Sequence, residues 1–183
     1  MNLYQYHKLP IDALHQQCID QVVAHVPSGV SYQMLSDVPS GCVVDDVDIR
    51  CQSDVIRCFI LSNNPNNVWL DTDCRILNWW IPPADGKIYV DPAMSVIFDN
   101  GQTDVFVAFQ AAYASKSFPH NPGWMQKLMR SNAYNKRFKL IPEKKFQHLS
   151  LSMAKHTNFA SVTNDQCTII NNPDHSQTLV IRG

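Results

Sequence analysis

An α/β fold built on a largely parallel sheet follows from three features of the sequence. Strand-like and helix-like segments alternate through the first seventy or so residues, as a parallel sheet with crossover helices requires. The composition is that of an ordinary globular chain: 45% hydrophobic and 17% charged over 183 residues, enough for one domain with a real core. The third feature is a short apolar strand that stops at a pair of aspartates, Asp71-Thr72-Asp73.

The elements follow in order. Leu3 to Tyr6 reads as a strand. From Ile11 to Val26, apolar residues at 14, 18, 19, 22, 23 and 26 have helical spacing, and Pro27-Ser28-Gly29 ends the run. Val30 to Leu35 is a second strand. Ser53 is placed to cap a helix reaching about Leu61, and Ser62-Asn63-Asn64-Pro65 terminates it. Val68-Trp69-Leu70 is then a buried strand.

The later part reads as more mixed α+β. Lys87 to Val90 and Met94 to Phe98 are strands, and Asp99-Asn100-Gly101 is a turn that lets Val105 to Phe109 pair back as a hairpin. Asn121-Pro122 starts a helix whose apolar face carries Trp124, Met125, Leu128 and Met129. Thr168 to Ile170 and Leu179 to Ile181 flank Asn171-Asn172-Pro173-Asp174 as a closing hairpin. One domain over 1–183 is expected, its two halves meeting near residues 83 and 84.

Bulk properties narrow the function. A formal net charge of −1 offers no general attraction for nucleic acid or anionic membranes. Apolar runs such as Val105 to Ala108 are far too short to span a bilayer, and Met1-Asn2-Leu3-Tyr4-Gln5 lacks the basic start of a secretory signal. A soluble, cytoplasmic protein is the expectation. The six cysteines, at 18, 42, 51, 58, 74 and 167, form no C-x-x-C pair and read as buried thiols. Fifteen aspartates stand against the single Glu143, so carboxylate chemistry here is aspartate chemistry.

With that many aspartates, chance supplies about one Asp-x-Asp triplet, and a second occurs at Asp46 and Asp48. Asp45-Asp46-Val47-Asp48 reads as a solvated loop. For Asp71 and Asp73 the setting matters. Side chains two apart on an extended segment face the same way, about 7 Å apart. At the carboxyl end of a buried strand they occupy the edge where open α/β sheets bind ligands. Two uncompensated carboxylates there call for a divalent cation, which can share its positions with phosphate oxygens.

Cys51-Gln52-Ser53-Asp54-Val55-Ile56-Arg57-Cys58-Phe59-Ile60-Leu61, a gap, then Val68-Trp69-Leu70-Asp71-Thr72-Asp73 resembles the sugar-binding region of the DXD-containing glycosyltransferases. That family includes initiating mannosyltransferases, capsular polysaccharide transferases and the clostridial glucosylating toxins. Fainter similarities lie in Leu3-Tyr4-Gln5-Tyr6 with Pro10, Pro119-His120-Asn121-Pro122, Leu140-Ile141-Pro142 with Phe146, and His156 with Ser161. Two departures stand out: Asn66-Asn67 in place of Gly-Gly, and Val162 where the family has Trp.

The resemblance implies a single GT-A-like nucleotide-sugar-binding domain, with the donor half over about 1–83 and the acceptor and closing half over about 84–183. It implies Mn²⁺ or Mg²⁺ held by Asp73 and Asp71, with His156 as a further metal or phosphate contact. Asp54 and Arg57 would take the donor sugar's hydroxyls, and Ser161 and Asn67 would touch the diphosphate or ligand. The implied reaction moves a sugar from a UDP- or GDP-sugar to a glycan, lipid or protein acceptor, with retention of configuration. Trp69 is expected to pack in the core, and Trp79 or Trp80 to line an acceptor groove. Two alternatives remain at this stage. One is a shortened, inactive module that binds a sugar nucleotide or a protein; the other is a haloacid-dehalogenase-like phosphatase with Asp71 as nucleophile.

Overall fold

The computed structural model describes residues 1–44, 47, 49–115 and 123–149, together with the backbone of three strands, 161–163, 167–171 and 177–181. The Asp45, Asp46 and Asp48 loop, the Pro119 to Pro122 segment and His156 lie outside the described residues.

The first half alternates as expected. Strand β1 (Asn2–Tyr6), helix α1 (Ala13–His25), strand β2 (Ser31–Leu35), helix α2 (Ile49–Asn63) and strand β3 (Asn67–Leu70) follow one another. Asp12 caps α1, its carboxylate accepting from the Leu14 and His15 amides. Helix α2 begins four residues before Ser53, which lies within the helix rather than capping it. Past β3 come the short β4 (Cys74–Ile76), β5 (Ile88–Val90) and β6 (Val96–Phe98). Helices α3 (Thr103–Ala114) and α4 (Trp124–Arg130), then β7 (Phe138–Leu140) and β8 (Phe146–His148), complete the main body. Strands β9 (Ser161–Thr163), β10 (Cys167–Asn171) and β11 (Gln177–Ile181) form a separate antiparallel sheet, and β10 with β11 is the expected closing hairpin.

The fold is mixed α/β around one six-stranded sheet in the order β2-β1-β3-β6-β5-β7. Pairs β1–β2, β1–β3 and β5–β7 are parallel, while β3–β6 and β5–β6 are antiparallel. Side chains alternate between its faces with period two. Leu3, Val68, Leu70, Tyr89, Val96 and Phe98 pack on the side of α1 with Val22. Tyr4, Trp69, Ile88, Val90 and Ile97 pack on the opposite side against α2, α3 and α4. The register that sends Leu70 one way sends Trp69 the other, and Asp71 follows Trp69.

Two expectations are corrected. Val105 to Phe109 is helix, not the return strand of a hairpin. Val105, Phe106, Phe109 and Tyr113 are buried while Val107 is 53% exposed, a helical period that outlasts the β-branched start of the run. Helix α4 begins at Trp124, with Gly123 at its cap in the left-handed conformation (φ 90°), rather than at an Asn121 cap.

At the amino end of β3, Asn66 adopts a left-handed φ of 63°, as an asparagine can. Asp99, fully buried, fastens this end. Its Oδ2 accepts from the Asn67 amide at 2.8 Å and its Oδ1 from the Gly101 amide at 2.9 Å. Burial pushes the Asp99 carboxyl up to about 6, against the pull of those amides. Because the folded chain then binds the proton more tightly than the unfolded chain, this group's stabilisation is present at low pH and lost as pH rises to about 6. Urea unfolding of wild type and Asp99→Asn across this range should show wild type losing ground to the variant between about pH 4 and about pH 6, then running parallel.

Candidate functional site

A cleft of about 300 Å³ opens where β1 and β3 leave the sheet at their carboxyl ends, lined by Tyr6, His7, Lys8, His15, Gln52, Ser53, Asp71, Thr72 and Asp73. Carboxyl ends of parallel strands are where α/β sheets of this kind hold ligands.

Asp71 is fixed by its position in the register. It lies two residues beyond Trp69 on the α2 side, and Arg57 of α2 meets it there. Arg57 Nη2 donates to Asp71 Oδ1 at 2.6 Å, and Trp69 Nε1 donates to the same oxygen at 2.6 Å. The guanidinium lies 5.4 Å from the centre of the Trp69 ring, within cation–π range. Its Nη1 donates to the Met94 carbonyl at 2.5 Å. Met94 reaches that orientation with a left-handed φ of 59°, unusual for a side chain of its size. Asp54, one helical turn before Arg57, stands 3.4 Å from Nη2. Arg57 is only 3% exposed, so its head groups are committed to the protein.

The backbone of Asp71 is anchored too. Its amide donates to the Ser95 carbonyl at 2.8 Å, and its carbonyl accepts from Gln5 Nε2 at 3.2 Å. Burial pushes the Asp71 carboxyl up to about 6, while Arg57 pulls the other way. Burial likewise raises Asp54 against the same guanidinium.

Asp73 departs from the extended geometry read from the sequence. The chain turns between Asp71 and Cys74, whose amide donates to the Asp71 carbonyl at 3.0 Å. Asp71 and Asp73 therefore do not project side by side from one strand. Asp71 faces α2; Asp73 faces β8. The reason is β4, which starts at Cys74 and pairs with β8 so that Cys74 lies opposite His148. His148 Nε2 sits 3.2 Å from Asp73 Oδ2, and the Leu149 amide donates to the Asp73 carbonyl at 2.8 Å. Gln21 of α1 holds β4 from its other side, donating to the Ile76 carbonyl at 2.6 Å and accepting from the Ile76 amide at 3.0 Å. Burial works against an imidazolium at His148, but the hydrogen bond and charge of Asp73 outweigh it and raise its pKa.

Asp73, Cys74 and His148 present donor atoms within 4.8 Å of one another. Burial holds the Cys74 thiol well above its usual range, which leaves a carboxylate oxygen and an imidazole nitrogen as the usable pair.

Asp54 and Arg57 thus stand beside Asp71, and Asp71 and Asp73 line one cleft. Asn67 does not join them. It lies at the amino end of β3, about four residues and ~13 Å from Asp71, with its side-chain Nδ2 donating to the Asn64 and Ile60 carbonyls. The alignment with a Gly-Gly pair concealed that this pair sits at the far end of the strand. Ser161 opens β9, and its side chain is outside the described residues, as is His156. Trp79 and Trp80 are half-buried, and both pack edge-on to Phe98. They contribute to the core on the α1 side of the sheet.

His148, His7, His15 and Thr72 were not found from sequence. His7 Nδ1 lies 3.0 Å from Thr72 Oγ1. Burial and the neighbouring His15 hold His7 below the ordinary imidazole value. His148 is brought in by antiparallel pairing with a strand more than seventy residues upstream, which no local pattern announces.

The sequence matches no family model and no curated protein. The fold matches a crystal structure described as a glycosyltransferase involved in the glycosylation of the major capsid of PBCV-1. The TM-score is 0.57 at 10% identity, over 84% of this chain and 95% of that chain. What the two share at this identity is the fold. Among the described residues no helix is long and apolar enough to cross a membrane.

Arg57 is buried, whereas the Asp71 side chain stays 25% exposed in the cleft. Arg57→Ala should therefore cost about 1–3 kcal/mol in urea unfolding, because water can reach the carboxylate left behind. Arg57→Lys should recover only part of this, because an ammonium cannot reach both Asp71 and the Met94 carbonyl.

Proposed function

We propose that this protein is a metal-dependent glycosyltransferase, moving a sugar from a UDP- or GDP-sugar to an acceptor hydroxyl with retention of configuration. The observation that carries this reading is the joint placement of Asp71, locked by Arg57 and Trp69, and Asp73, beside His148, along one cleft at the carboxyl ends of β1 and β3. The likeness in fold to a glycosyltransferase supports it.

The residues present fit a divalent cation. Asp73 and His148 would hold it, a hard oxygen beside an imidazole nitrogen, as Mn²⁺ accepts and Mg²⁺ accepts less well. When bound, such a cation supplies Lewis acidity that stabilises charge on the departing diphosphate. Asp71 serves differently. Its Oδ1 is saturated by two charge-assisted or buried donors, so its remaining oxygen is the acceptor offered to a ribose or sugar hydroxyl. Arg57 acts through Asp71 as a positioning residue, and Asp54 holds Arg57 from the neighbouring helical turn. Gln52 and Ser53 give the cleft hydrogen-bonding groups on the α2 side, while Lys8 brings positive charge to the β1 side. In the reaction, the bond from the anomeric carbon to the diphosphate breaks, a bond to the acceptor oxygen forms, and the acceptor hydroxyl's proton passes to the departing diphosphate. The preset charges of the cleft favour that separation without reorganising.

Mn²⁺ with a UDP- or GDP-sugar should raise the melting temperature in scanning fluorimetry. Asp73→Ala should abolish the shift, and an unchanged shift would remove Asp73 from the site. His148→Ala should weaken Mn²⁺ binding roughly 10-fold or more. Because His148 must lose a proton to ligate, and its pKa is raised, Mn²⁺ affinity in wild type should climb as pH rises, the gain falling above the ordinary imidazole range.

A further inference from the structure

We propose that His7 and His15, backed by Thr72 and Asp12, form a second cation site on the β1–α1 side of the cleft, selective for Zn²⁺ and similar imidazole-preferring dications. The inference stands apart from the transferase reading and needs only these four residues.

His7 follows β1 directly, and His15 lies in the first turn of α1. Their rings are adjacent, with centroids 4.5 Å apart and planes inclined by 47°, and both line the cleft. Donor atoms of His7, Asp12 and His15 all fall within 4.8 Å of one another. Each imidazole is anchored through Nδ1. Asp12 Oδ2 lies 2.6 Å from His15 Nδ1, and Thr72 Oγ1 lies 3.0 Å from His7 Nδ1.

The tautomer of His15 follows from its partner. Asp12 accepts the Leu14 and His15 amides through Oδ1 and meets His15 Nδ1 through Oδ2, and a carboxylate can only accept. Nδ1 of His15 therefore carries the proton, and Nε2 keeps its lone pair. A cation on Nε2 of His7 selects the matching tautomer, with Nδ1–H donating to the Thr72 hydroxyl. An imidazole whose far nitrogen is tied to a carboxylate or hydroxyl is the arrangement that orients metal-binding histidines.

The donor set decides the ion. Two imidazole nitrogens with at most one carboxylate oxygen favour Zn²⁺, Co²⁺, Ni²⁺ or Cu²⁺ over Mg²⁺ and Mn²⁺. Remaining positions face the cleft, where water or an oxygen of a bound molecule completes them. Because Thr72 lies between Asp71 and Asp73, a cation here would tie the β1–α1 connection to the turn that carries both carboxylates. It would also set positive charge close to them.

Titration calorimetry of the full chain, freed of metal, tests this with Zn²⁺ and with Co²⁺ read by its visible absorption. The expected result is Zn²⁺ binding that weakens at least about 10-fold in His7→Ala and in His15→Ala, weakens in Asp12→Asn, and persists in His148→Ala. Zn²⁺ binding that is absent from wild type, unchanged in both His7→Ala and His15→Ala, or lost in His148→Ala alone overturns the proposal. A measurement on wild type covers variants that fail to fold. Zn²⁺ should slow carbethoxylation of His7 and His15 by diethyl pyrocarbonate, read by peptide mass. Equal rates with and without Zn²⁺ at both residues would contradict the site.

Discussion

A guanidinium and a carboxylate meet inside this protein, and the candidate site is arranged around them. Arg57 comes from the inner face of α2 and Asp71 from the end of β3. Taking the guanidinium wholly and the carboxylate largely out of water is expensive, and Coulomb attraction alone rarely offsets that cost. Here the offset is shared. Trp69 gives Asp71 a second hydrogen bond and gives Arg57 an aromatic face, while Met94 turns its carbonyl toward Nη1. One of the two Asp71 oxygens is thereby consumed in structure, and the other is left with a fixed direction. A residue held this firmly cannot drift when a ligand enters, which is the property an electrostatic site needs.

Asp73 is free of that constraint because the chain turns before it. The turn hands it to β4 and β8, so the two carboxylates answer to different parts of the molecule: Asp71 to α2, Asp73 to the antiparallel strap at His148. The roles proposed for them separate accordingly: the saturated carboxylate as a hydrogen-bond acceptor of set geometry, and the carboxylate beside an imidazole as half of a metal site. The part of the cleft at His7 and His15 is built from the β1–α1 connection and meets that turn at Thr72.

Much of this was legible in the sequence, and the misses share a cause. Strands β1 to β3 and helices α1 and α2 are written in local periodicity and in terminators such as Pro27 and Pro65. That Asp54 and Arg57 belong beside Asp71 follows from the resemblance of residues 51–73 to the glycosyltransferases and not from spacing, and Arg57 bonds Asp71 instead of standing free for a sugar. Val105 to Phe109 misled because a five-residue run with four β-branched or aromatic members does not separate strand from helix; Tyr113, further on, extends the helical period. Asn67 misled because a motif position says nothing about which end of a strand a ligand visits. His148, His7 and His15 depend on pairings across the sheet and around a turn, and such contacts leave no periodic trace. The extended reading of Asp71 to Asp73 failed for the same reason, since β4 exists only by pairing with β8.

Release of nucleoside diphosphate from a panel of UDP- and GDP-sugars, followed in the presence of Mn²⁺, is the most direct test of the account. It predicts that at least one donor is turned over, by transfer or by slow hydrolysis, and that replacing Asp71 with Asn in a folded protein suppresses release. Binding of a sugar nucleotide with no release from any donor, or release that is indifferent to Asp71, would contradict it.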